Sequence, residues 1–171
     1  MAFSEFLNSR REAARELVSL LRSQYAYVSV LGVDIKTKNV RVDRNTSNIL
    51  PGYDTECGFV VKLCNGGAIF EYSLDDISAD NMETLAATIA KAFRLQEKLT
   101  DNAITGTVPP DEPLVQSFSR PADFDNYSDQ QVLAFCKDLC GDLLSRSENI
   151  LNAMVGLGTL EQSQHLVAQN G

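Results

Sequence analysis

The sequence predicts an α+β fold: an antiparallel meander sheet with helices packed on one face in two layers, followed by a C-terminal helix and β-hairpin segment. Three observations carry this. Apolar residues recur at helical spacing over 9–25, 80–99 and 128–144. They alternate with polar residues in short runs between Tyr27 and Tyr72. Asn65-Gly66 stands between two of those runs, and Asn-Gly fits the positive φ angles of a two-residue hairpin turn.

Taken in order, Ser9 with Glu12 forms a capping-box pattern ahead of Ala13, Ala14, Leu17, Val18 and Leu21, one apolar stripe of a helix ending near Tyr25. From Tyr27 the period falls to two, through Ser29, Leu31, Val33 and Ile35. Lys36 to Asn39 is expected to turn the chain, and Val40 and Val42 to begin a second strand. Polar residues from Asn45 close on the turn dipeptide Pro51-Gly52. Cys57, Phe59, Val61 and Leu63 then alternate as a third strand, and Asn65-Gly66-Gly67 leads to a return strand from Ala68 to Tyr72. Asp80 with Glu83 marks the start of the next helix, whose stripe is Met82, Leu85, Ala86, Ile89, Ala90 and Phe93. Four prolines among scattered acids over 100–127 predict a linker. Ser128 with Gln131 caps a third helix, and Ile150 to Leu160 and Gln164 to Gln169 read as two short strands. The domain organisation expected is therefore an α+β domain over 1–99, a linker over 100–127, and a helix and strand pair over 128–171. The last dipeptide, Asn170-Gly171, is a turn signal that predicts a strand returning beyond it.

Composition bounds the function. Of 171 residues, 44% are hydrophobic and 22% charged, enough to bury a core without disulfides or metals. Fifteen Lys and Arg against 23 Asp and Glu give a net charge of -8, the wrong sign for neutralising nucleic-acid phosphates or an anionic membrane surface. Neither is expected as a partner. The acid excess is concentrated in residues 100–171, which carry 3 basic and 10 acidic side chains. No apolar run approaches the roughly 20 residues of a spanning helix. The N-terminus has no apolar segment behind a basic start, so the chain is read as cytoplasmic and Cys57, Cys64, Cys136 and Cys140 as reduced thiols. The sequons at Asn45 and Asn126 are then turn and cap residues.

Little in the chain can do chemistry. There is one histidine, His165. Cys136 and Cys140 are four apart on one helix face and could reach a metal together, but zinc-like partner spacing is missing, so buried thiols acting as small hydrophobes are the better reading. Asp75-Asp76 could bind a cation, although acids ahead of a helix are more often caps favoured by its dipole. Asn65-Gly66-Gly67 leads into a strand and not a helix, so it is a turn and not a phosphate loop. Lys36, Lys38, Arg41 and Arg44 form the positive cluster that stands out. Such a cluster on alternating strand positions solvates one face of an edge hairpin and discourages aggregation, or docks a partner.

The order of these features resembles the N-terminal domain of the TldD/PmbA family, cytosolic bacterial proteins described as modulators of DNA gyrase and as metalloproteases that process peptide microcins. A helix over 10–24 leads to VSVLGVDIKTKNVRVDRNTSNI. Glu56-Cys57-Gly58-Phe59-Val60-Val61-Lys62-Leu63-Cys64-Asn65-Gly66-Gly67-Ala68-Ile69-Phe70 follows, similar to the family's glycine, alternating strand, Asn-Gly turn and return. Leu74-Asp75-Asp76-Ile77 and the alanine-rich helix Leu85 to Phe93 continue the likeness, and Ser147-Glu148-Asn149-Ile150 opens the stretch where family members enter a central domain. Gly58, Asn65, Gly66 and Gly67 are the structural turn positions of this pattern.

The resemblance implies the non-catalytic N-terminal domain of a zinc metallopeptidase, with peptide as substrate of the full-length protein, a homo- or heterodimer as assembly, and zinc held in the C-terminal part. No position here matches the family's His-Glu-x-x-x-His helix, so no catalytic or metal residue is assigned and no cofactor is expected in this chain. The alternative is a stand-alone interaction module. Metal analysis of the purified chain is expected to find well under one zinc per molecule, because one histidine and four separated thiols do not make a three-ligand site. One tightly held zinc per chain would overturn this.

Overall fold

Helix formation begins at Ser4, whose hydroxyl accepts from the Leu7 N–H at 3.2 Å and donates to Asp34 at 2.5 Å, winding the short helix α1 (Glu5–Ser9). Arg10 breaks the helix, and α2 (Arg11–Leu21) follows it. Ser9 is thus the last residue of α1 and not the cap of the longer helix. Its hydroxyl turns back to Phe6 O at 2.9 Å, a local bond that competes with capping. The computed structural model describes residues 3–52, 56–65, 68–99, 115–119 and 127–169. Gly66, Gly67, the Asn170-Gly171 end and all of the expected linker except 115–119 and Tyr127 lie outside them.

The remaining elements are β1 (Tyr27–Asp43), β2 (Ser47–Pro51), β3 (Glu56–Asn65), β4 (Ala68–Leu74), a 3-10 turn (Ala79–Asn81), α3 (Met82–Leu99), α4 (Asp129–Ser145) and β5 (Met154–Ala168). The sheet order is β2-β1-β3-β4, and β5 also pairs with β1. The α+β class with an antiparallel sheet is the one expected. Two expected breaks are absent, however. Lys36 to Asn39 does not turn: β1 runs through it as one 17-residue strand. Nothing in Lys-Thr-Lys-Asn enforces a positive φ, and the alternation of side chains is unbroken across it. The turn comes later, where the Asp43 carboxylate accepts from the N–H groups of Asn45 and Thr46 and from the Thr46 hydroxyl, each at 2.8 Å. The chain returns antiparallel, pairing Val42 with Ser47 and Lys38 with Pro51, so β1 is no edge strand at its basic cluster. Likewise the two short C-terminal strands are one, β5, and the expected hairpin does not form there. Glu161 to Gln164 are polar but hold no Gly, Pro or Asn, and a long partner strand lets the ladder continue.

The Asn65-Gly66 hairpin is as expected in its flanks: β3 and β4 pair antiparallel with Asn65 opposite Ala68, leaving two residues between them. Lys62 lies opposite Glu71, and their side chains meet at 2.8 Å. The α4 start is also as read, with Ser128 and Gln131 forming a reciprocal capping box.

Two compact units interleave along the chain: Phe3–Asp34, Cys57–Phe118 and Ser163–Gly171 in one, and Ile35–Glu56 and Ser119–Gln162 in the other. The first has a core of Leu7, Leu17, Leu21, Val28, Val30, Val61, Leu63, Ile77 and Ile89, all at most 1% exposed, with Phe70 and Phe93 edge to face at 5.5 Å. In the other, Val40 and Val42 of β1 pack with Cys136 and Cys140 of α4. The two thiols act there as small hydrophobes, and Cys140 also donates to Ala153 O at 3.4 Å.

Gly58 has φ +156, and a Cβ on it would stand 2.7 Å from Leu74 O on the neighbouring strand. Backbone cannot yield to that contact as a flexible side chain can. Gly58→Ala is therefore expected to destabilise the chain by roughly 1–3 kcal/mol in chemical denaturation. An unchanged midpoint would contradict the close approach.

Candidate functional site

Alternation along β1 divides the basic cluster. Lys36 and Lys38 share the side-chain face of Val40 and Val42, whereas Arg41 points to the other. The Lys38 ammonium meets Asp129 at 2.7 Å, at the first residue of α4, where a carboxylate also suits the helix dipole. The Arg44 guanidinium donates to Leu151 O at 2.9 Å, and its N–H to Asn152 Oδ1 at 3.3 Å. Lys36 and Arg41 are exposed and make no ion pair among the described residues. Hydrogen bonds from Asn45 and Thr46, with Arg41 nearby, hold the Asp43 carboxyl below the usual carboxylate range.

Asp76 is not a helix cap. Arg10 Nε and Nη2 donate to its two oxygens at 2.9 and 3.1 Å, and its Oδ1 also accepts from the Ile77 N–H at 2.8 Å. These bonds, that of Arg10 first, lower the Asp76 carboxyl. Among the described residues no three His, Cys, Asp or Glu converge as metal ligands, and no helix is long and apolar enough to cross a membrane.

A different feature was not singled out in the sequence. Gln24, beyond the end of α2, and Ala87, Ala90, Lys91, Arg94, Leu95 and Lys98 of α3 line an open cleft of about 390 Å³. Its wall carries three cations and no carboxylate. Arg94 Nη2 donates to Gln24 Oε1 at 3.3 Å, which holds the guanidinium across the cleft. The nearby Tyr25 is 8% exposed, packs edge on to Phe93 at 5.0 Å, and has a buried hydroxyl with no hydrogen-bond partner among the described residues. The spacing of Lys91, Arg94 and Lys98 was the available signal, since residues three and four apart share a helix face. Gln24 could not be placed beside them from sequence spacing.

His165, half-buried on β5, is held below the ordinary imidazole value by burial and then by the charges of Arg11 and Arg15.

No family profile and no curated protein matches the sequence. Solved structures do match its fold. A candidate modulator of DNA gyrase from Bacteroides thetaiotaomicron is similar at TM-score 0.69 and 13% identity, over 96% of this chain and 37% of that one. A second such candidate, from Thermotoga maritima, gives 0.64 and 10%, over 94% and 35%. TldE from Thermococcus kodakarensis gives 0.62 and 12%, over 93% and 35%. The chain thus spans little more than a third of the structures it matches, and its likeness to the TldD/PmbA proteins is a likeness of fold.

The histidine gives a pH signature. Its folded value lies below the unfolded one, so the unfolded chain binds the proton more readily and stability rises with pH. The contribution is complete above about 6.5 and is lost as pH falls toward the folded value. His165→Gln is expected to flatten the dependence of Tm on pH between about 7 and 5, above the range in which lowered carboxylates act. An unchanged slope would contradict the burial of the imidazole.

Proposed function

We propose that this chain is the N-terminal, non-catalytic part of a zinc metallopeptidase of the TldD/PmbA kind, contributing to assembly and to the wall of the cavity that receives peptide. The observation that carries the reading is the fold likeness over 93–96% of the chain to two candidate gyrase modulators and TldE. The order of helix, long strand, Gly58 within β3 and β3–β4 hairpin supports it.

Among the described residues the side chains do not fit a zinc site. Cys136 and Cys140 are buried against Val40 and Val42. In this reading zinc is held by a part of such a protein beyond these residues. Four free thiols suit a reducing cytoplasm. Lys36 and Arg41, exposed on opposite faces of β1, are the members of the basic cluster left to meet a partner subunit in a homo- or heterodimer.

An antibody raised against the chain tests the reading on extract of the source cells. A band well above 18.8 kDa that co-purifies with zinc and peptidase activity is expected. A band at 18.8 kDa without zinc would overturn it and favour the stand-alone interaction module.

A further inference from the structure

The lining of the cleft on α3 is opposite in sign to the chain as a whole. The chain carries a net charge of -8, yet Lys91, Arg94 and Lys98 form one row with no carboxylate in the lining. Lys91 and Lys98 make no ion pair among the described residues, unlike Lys38 and Lys62, which pair with Asp129 and Glu71. The cleft also has apolar contacts to offer: Ala87 and Ala90 on its wall, and Leu95 at 53% exposure.

We propose that this cleft docks an acidic peptide segment of another polypeptide, with carboxylates along the cationic row and an apolar side chain against Leu95 and Ala87. The row spans about 10 Å, seven residues at a rise of about 1.5 Å. Three residues of extended chain, at about 3.3 Å each, cover the same length, so carboxylates two residues apart reach neighbouring cations and carboxylates three apart reach the two ends of the row. A longer nucleic-acid strand would run past a row whose three cations neutralise only a few phosphates, whereas a short acidic segment ends where the row ends. Gln24 orients Arg94 for a carboxylate and reduces the ordering cost of the contact. The inference is independent of the metallopeptidase reading, because it uses only residues of α3 and Gln24.

Fluorescence anisotropy of a labelled Glu-Leu-Glu-Glu-Leu-Glu peptide titrated with the full chain tests it. Binding is expected at low ionic strength and is expected to weaken as salt is raised. Lys91→Glu with Lys98→Glu is expected to weaken it by about tenfold or more, and a Lys-Leu peptide of the same length is not expected to bind. Both lysines are exposed, so the double variant should keep the circular dichroism of the parent. If it does not, Lys91→Gln with Lys98→Gln takes its place. Absence of binding at low salt, or binding unchanged in the folded variant, would overturn the proposal. Displacement of the peptide by a lower concentration of short single-stranded DNA would overturn it too, in favour of a nucleic-acid surface.

Discussion

A strand of 17 residues, β1, exposes a row of N–H and C=O groups along each edge, and none of them can stay both buried and unpaired. The rest of the sheet answers that requirement. β2 pairs with it from Lys38 to Val42, β3 is its neighbour in the sheet order, and β5 pairs with it as well. Gly52 extends the β2 ladder by donating to Thr37 O at 2.8 Å, and Gln169 donates to Val28 O at 3.2 Å. Position along the strand then divides its side chains between two cores. Val28 and Val30 enter one core, and Val40 and Val42 enter the other.

Charge is arranged around this frame in two ways. Lys38 with Asp129, Lys62 with Glu71 and Arg10 with Asp76 are exposed or half-exposed pairs, so each adds little to stability. Their value lies in position: each joins two elements far apart in sequence or across a ladder. The cations of α3 are different. Among the described residues Lys91 and Lys98 lack such partners beside a cleft, and Arg94 is held by a neutral amide, so its charge remains available.

Local signals were legible. Ser128 and Gln131 specify their cap within one turn, and Asn65-Gly66 specifies its hairpin, because each depends on residues a few positions apart. Ser9 with Glu12 satisfied the same pattern without the same outcome, since Ser4 had already started a helix and Arg10 interrupted it. The errors in β1 and β5 share a cause. Lys36 to Asn39 and Glu161 to Gln164 are polar enough to read as breaks, yet a strand persists when a neighbour supplies its hydrogen bonds, and that neighbour is remote in sequence. Arg10 with Asp76, 66 positions apart, and Gln24 beside Arg94, 70 apart, were beyond local reading for the same reason. The basic cluster on β1 was visible as a run of charge, but only the structure shows which of its members are already engaged.

Fold likeness at 10–13% identity relates this chain to about a third of three larger structures. Sequences so different share a fold because ladder pairing and alternation constrain them more than particular side chains do. The central claim is that β1 is continuous through Lys36 to Asn39. Residue-resolved amide exchange tests it most directly: amides from Lys36 to Val42 should be protected to a degree comparable with Val28 to Val30, because a paired strand opens only with its ladder. Exchange from Lys36 to Asn39 as fast as in an exposed turn, beside protected flanks, would contradict the account.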